Sequence, residues 1–222
     1  MCYNSRQSCS CPEYMPEVLR NIAASQKVKA NITTHTLPDY EIQQHVKNKD
    51  TMDLLRRSTW DSVVFNENNF ILINEDWRAN ELFPPMEKLS AALKEAGVQG
   101  SMFQNYGFKK GVPFSKSDSY EKMQKTLIDV TARVSGRNGF RVIPIGMAWQ
   151  RMYEKHPEIN LWASDTIHPN VHGTYLIACL VYSNVFNKVV NAKSYVPHGI
   201  GTNEADIIRT ECNGVMKDYF LK

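Results

Sequence analysis

The feature that most constrains this chain is a rhythm. Short apolar, β-branched runs recur at residues 28–34, 62–65, 100–104 and 140–144, and stretches with helical spacing separate them. Residues 12–24 predict a helix, because Met15, Val18, Leu19 and Ile22 fall at i, i+3, i+4 and i+7. Further helices are predicted over 50–58 and over 79–96, the latter interrupted near Pro84-Pro85 and closed by Gly97. Others follow over 117–134, capped by Ser117 or Asp118, and over 146–155, 170–187 and 203–219. Strands that alternate with helices need crossovers rather than hairpins. The order therefore predicts an α/β fold, a parallel sheet with helices on both faces and right-handed connections. No internal repeat, low-complexity tract or long linker divides the 222 residues, so a single domain over 1–222 is expected. Ligands of such sheets bind beyond the carboxyl ends of the strands. That singles out residues 33–40, 66–70, 105–108 and the loop that carries Asp165 and His168.

Composition narrows the function classes. Apolar residues make 42% and charged residues 22% of the chain, and the net charge is only +3. With no basic run or aromatic-interleaved basic stripe, a nucleic-acid partner is not expected. No apolar run reaches the roughly 18 to 20 residues of a membrane span, and no hydrophobic leader is visible at the N-terminus. The residues leave the compartment and the oligomeric state open. The five cysteines, Cys2, Cys9, Cys11, Cys179 and Cys212, show neither paired nor metal-ligand spacing, so no metal site is expected. A nucleotide-binding α/β protein would want a glycine-rich phosphate loop after a strand, and none is present.

Chemistry concentrates near the C-terminus, in Asp165-Thr166-Ile167-His168-Pro169-Asn170, which runs into an apolar helix. An Asp three residues before a His can hold the imidazole in one tautomer and stabilise its charged form, which equips the ring for general acid–base work. Pro169 biases His168 away from the α region and onto a loop. Taken singly, the residues also fit bland roles: a surface histidine and a capping aspartate.

These pieces, in this order, resemble the SGNH (GDSL-like) hydrolase superfamily over roughly residues 6–190. The block from Asp165 to Leu176 is similar to the family's acid–histidine block, and Phe140 to Trp149 to its last strand and following helix. The resemblance implies a three-layer α/β/α sandwich with a flavodoxin-like parallel sheet, and a Ser-His-Asp triad acting on a small-molecule or carbohydrate ester without a cofactor. Trp60 to Asn68 is similar to the block that supplies a side-chain oxyanion donor, which makes Asn66 the first candidate and Asn68 the second. Counting back from Pro16 by the family's loop length places the nucleophile at Ser8. Ser5, in Tyr3-Asn4-Ser5, has the better local motif but needs a longer loop. The N-terminal blocks depart from the pattern: the strand and glycine that precede the nucleophile are missing. Leu37-Pro38-Asp39-Tyr40 stands where a glycine N–H should face the oxyanion. Proline has no N–H, so that donor falls to the backbone of Asp39. These departures define the alternative, a catalytically degenerate relative that binds carbohydrate or serves as an interaction module. Glu67 reads as a structural or solvated acid, His172 as a pocket-lining or capping residue, and His35, His45, His156 and His198 as structural.

Overall fold

A computed structural model describes residues 14–37, 40–57 and 59–220. In chain order it contains α1 (Met15–Ser25), α2 (Ile42–His45), α3 (Lys49–Arg57), β1 (Ser62–Phe65), α4 (Asn69–Ile73) and α5 (Glu75–Trp77). A π-helical turn over Arg78–Leu82 leads into α6 (Phe83–Glu95), β2 (Gln99–Phe103), α7 (Tyr120–Asn138) and β3 (Arg141–Ile143). Then come α8 (Ile145–Lys155), α9 (Val171–Phe186) and α10 (Thr202–Phe220). The chain groups into two compact units. One comprises Thr34–Gly107 and Gly111–Ile143; the other comprises the described residues up to Thr33, Phe108–Lys110 and those from Pro144 onward.

The first unit holds the sheet, three parallel strands in the order β1-β2-β3 among the described residues. Val64 pairs with Ser101, and Ser101 with Arg141. The central strand β2 is buried from Gly100 to Phe103, as expected of a short apolar run with a neighbour on each side. Phe65, Met102 and Ile143 are essentially inaccessible, as are Leu93 of α6 and Leu127, Val130 and Val134 of α7. Pro84 and Pro85 begin α6 rather than interrupt it, at the position where a missing N–H costs nothing. Gly97 follows α6 with φ +67°, the left-handed turn expected of it.

Two expectations are corrected. Residues 28–34 form no strand. Their exposure alternates as a strand's does, but no neighbouring strand pairs with them among the described residues, and a ladder needs a partner. The segment instead follows α1 and is tied to it by Arg20 Nη2 donating to the Ile32 carbonyl at 2.8 Å. The third long helix begins at Tyr120, and its cap is Ser119, whose Oγ accepts from Lys122 N. Asp118 is occupied by an ion pair with Lys122 Nζ at 2.8 Å.

In the second unit α9 is the core. Every residue from Gly173 to Asn184 is buried, as expected of a helix that is apolar all round. It packs against α1, α8 and α10. The predicted stripe of α1 is realised, with Val18, Leu19 and Ile22 buried. Cys179 and Cys212 lie in this core as free thiols. Its polar anchor is Arg209, which donates to Tyr175 Oη at 3.0 Å and pairs with Asp206.

Candidate active site

The second unit builds the acid–base pair from a single loop. The chain leaves Leu161, makes an isolated antiparallel bridge between Trp162 and Pro169, and turns between them. Ala163 N donates to the His168 carbonyl at 2.7 Å, and Thr166 N to the Ala163 carbonyl at 3.0 Å. Thr166 takes a left-handed φ of +65°, so the turn is tight enough to fold Asp165 back on His168. One oxygen of Asp165 accepts the backbone N–H groups of Ile167 and His168, each at 2.9 Å. The other lies 2.6 Å from His168 Nδ1. Partial burial works to raise the Asp165 carboxyl, but the hydrogen bonds from the His168 ring and the two N–H groups outweigh it. They hold the group below the usual carboxylate range. A carboxylate can only accept, so Nδ1 carries the proton and Nε2 is the basic nitrogen of the neutral ring.

The loop is anchored to α9 by Asn170. Its Oδ1 accepts Gly173 N at 3.0 Å, capping the helix, and its Nδ2 donates to the Asn160 carbonyl at 2.7 Å. Trp149 and Trp162 are buried and meet edge to face at 5.2 Å, so they pack the shoulder of the loop. His172, one turn beyond His168, has Nε2 3.2 Å from Glu204 Oε2.

The segment after β1 lies in the first unit. Asn66 follows the strand directly and is half-buried, and its side chain makes no hydrogen bond among the described residues. Asn68 is occupied differently: its Oδ1 accepts Phe70 N at 2.9 Å to cap α4, and its Nδ2 is 3.4 Å from Glu41 Oε1. Glu67, between them, is 1% exposed and therefore not solvated. Its Oε1 accepts Asn68 N at 2.7 Å and its Oε2 accepts Ile42 N at 3.3 Å. Burial pushes this carboxyl up to about 8, with Glu41 and Glu81 adding to the rise against those two hydrogen bonds.

Sequence reasoning missed the residues that hold this segment. Asn105 Nδ2 donates to the Glu67 carbonyl and to Asn69 Oδ1, both at 2.7 Å. Asn69 Nδ2 donates to the Tyr106 carbonyl at 3.0 Å. Gln124 of α7 donates to the Asn105 carbonyl at 3.2 Å and accepts Gly107 N at 2.9 Å. The available signal was positional: Asn69 and Asn105 fall within residues 66–70 and 105–108, the segments that follow β1 and β2. Ser8, Ser5, Pro38 and Asp39 lie outside the described residues. No group of His, Cys, Asp and Glu side chains among the described residues is arranged to hold a metal ion.

The fold is α/β with an open parallel sheet, of the kind found in hydrolases. It is similar to a DUF4886 family protein from Bacteroides uniformis ATCC 8492, with a TM-score of 0.75 at 16% identity, covering 92% of this chain and 88% of that one. A candidate SGNH hydrolase from Slackia heliotrinireducens superposes with a TM-score of 0.60 at 19% identity, covering 76% of this chain and 89% of that one. LAE5, an alpha/beta hydrolase enzyme from the metagenome of Lake Arreo, Spain, gives 0.57 at 17% identity, covering 78% and 81%. No family model and no curated protein matches the sequence. At these identities the likeness is one of fold.

Proposed function

We propose that this protein is an SGNH-type serine ester hydrolase acting on small acyl esters, such as an acetyl group carried on a carbohydrate. The observation that carries the reading is the Asp165–His168 pair, bonded at 2.6 Å and clamped by two backbone N–H groups. In this reading Ser8 attacks the ester carbonyl as His168 Nε2 takes its proton. The tetrahedral intermediate collapses, and the imidazolium returns the proton to the leaving alcohol. Water then repeats the sequence on the acyl-enzyme. Asp165, its carboxyl held below the usual range and so ionised at neutral pH, keeps the ring in one tautomer. Asn66 Nδ2, with the backbone N–H groups of Ser8 and Asp39, donates to the oxyanion, where one side-chain donor is worth about 3 kcal/mol. The chemistry requires no cofactor.

Turnover of p-nitrophenyl acetate by the purified protein tests the proposal. Ser8→Ala and His168→Ala are each expected to lower kcat by several powers of ten. Variants that match the parent rate refute the triad. A fluorophosphonate probe is expected to label Ser8 stoichiometrically; labelling at Ser5 moves the nucleophile. Absence of labelling together with absence of turnover favours the degenerate, carbohydrate-binding reading.

A further inference from the structure

We propose that Glu67 is the positioning residue of this site: its buried carboxyl ties the segment carrying Asn66 to the first turn of α2 and so fixes where the Asn66 amide points. The inference deepens the reading above and rests on it wherever Asn66 is given a part in the reaction.

The geometry is that of a clamp around one residue. Asn66 has Phe65 on one side, in the parallel ladder and 1% exposed, and Glu67 on the other, equally buried. Glu67 is held at three points. Its two carboxyl oxygens accept Asn68 N and Ile42 N, and its carbonyl accepts Asn105 Nδ2. The Ile42 contact joins parts of the chain 25 residues apart, so the tie is tertiary rather than local. With both neighbours immobilised, the freedom left to Asn66 is that of its own side chain.

A carboxyl suits this tie because Asn68 N and Ile42 N meet different oxygens, and an amide would offer only one. No Lys, Arg or His pairs with Glu67 among the described residues. The charged groups that face it are Glu41, from the segment before α2, and Glu81, from the π-helical turn, and both are acidic. Glu81 also acts on Glu41, whose carboxyl is raised by burial and by Glu81. At neutral pH Glu67 is therefore held largely in its protonated form, as the value of about 8 indicates. Loss of that proton would bury a full negative charge one residue from the amide that meets the oxyanion. The neutral form leaves the developing charge unopposed, whereas the ionised form opposes it. The clamp thus carries a sign: it positions Asn66 at all pH values and makes it effective only while Glu67 is neutral.

Two measurements test this. In the first, kcat and KM for p-nitrophenyl acetate are followed between about pH 6 and pH 9.5 in the parent, Glu67→Gln and Glu67→Ala. In the parent, kcat is expected to decline at alkaline pH; Glu67→Gln, neutral throughout but with one acceptor for two N–H groups, is expected to lose that decline at a somewhat lower kcat. Glu67→Ala is expected to lower kcat about 10- to 100-fold with little change in KM. An unaltered alkaline limb in Glu67→Gln overturns the proposal. In the second, the side-chain amide resonance of Asn66, assigned by its disappearance in Asn66→Asp, is titrated by NMR over the same range. It is expected to shift with a midpoint near the Glu67 value in the parent and to stay fixed in Glu67→Gln. A resonance that is flat in the parent, or moves equally in both, overturns the proposal. The NMR titration involves no substrate. A parent that shows the shift yet turns over no ester retains the clamp and refutes the hydrolase reading.

Discussion

Gly173→Ala tests whether close packing or helix propensity governs the base of α9. Propensity alone predicts a gain of up to about 1 kcal/mol, because alanine loses less backbone freedom than glycine in a helix. The structure predicts the opposite sign. A Cβ at residue 173 would strike the Leu161 carbonyl oxygen, and would lie 2.6 Å from Trp149 Cη2 and 3.0 Å from Pro169 Cβ. None of these can yield cheaply. The Leu161 carbonyl is backbone and accepts Asn170 N at 2.9 Å, and Trp149 is fully buried against Trp162. Overpacking of this kind costs about 1–3 kcal/mol, which leaves a net loss of up to about 2 kcal/mol after the full propensity gain. At about 2–4 °C per kcal/mol for a chain of this size, Tm falls by up to about 8 °C. Thermal unfolding followed by circular dichroism measures it, with Gly136→Ala as the control. Gly136 lies in α7 with nothing within 4 Å of an added Cβ, so there alanine should raise Tm. The strain at residue 173 falls on Leu161 and Pro169, which flank the Asp165–His168 turn, so ester turnover should fall with it. A Gly173→Ala protein that melts at or above the parent refutes the packing argument.

Two further outcomes follow from buried polar groups. His45 is buried beside His35, and burial, the larger cause, lowers its pKa to about 4. The unfolded chain then binds a proton between about pH 6.5 and 4 that the folded chain does not. Stability is lost as pH falls through that window, by at most about 3 kcal/mol. Denaturant unfolding at the two ends of the window should show a smaller loss in His45→Gln, and equal losses would refute the assignment. Asn105→Ala removes the donor to a buried acceptor, the Glu67 carbonyl, and to a half-buried one, Asn69 Oδ1, and should cost about 1–3 kcal/mol in the same assay. Asn105→Asp, which sets oxygen against oxygen, should cost at least as much, and a loss below about 0.5 kcal/mol in both would refute the network.

Three strands and the long helices were legible because each is a run or stripe of apolar residues with one dominant period. Residues 28–34 had the strand pattern without the strand, since pairing depends on a neighbour that alternation does not encode. The cap of α7 was misplaced by one or two residues within Ser117-Asp118-Ser119, where three capable side chains stand in a row and only the chain's path selects Ser119. The short helices α2 and α4 carry too few residues to show a period. Asp165 and His168 were legible because their contact is local. Glu67 and Asn105 were legible only in part: Glu67 reads as a structural or solvated acid, and Asn105 only as a member of a segment after a strand. The burial of Glu67 comes from α2 and from the segment after β2, which are remote in sequence.

That contrast in sequence distance has a kinetic side. Asp165 and His168 are three residues apart, and their turn is closed by hydrogen bonds that span no more than five. Glu67 and Asn105 are 38 residues apart and meet only when two strands have been laid side by side. Closing a loop costs entropy that grows with its length, and contacts between distant segments form late. During folding, the acid–base pair can therefore assemble from its own turn, whereas the amide cluster around Asn66 waits for the sheet. Mild denaturant should reverse the order, releasing the Asn105 side-chain amide protons to exchange while the His168 ring still senses Asp165.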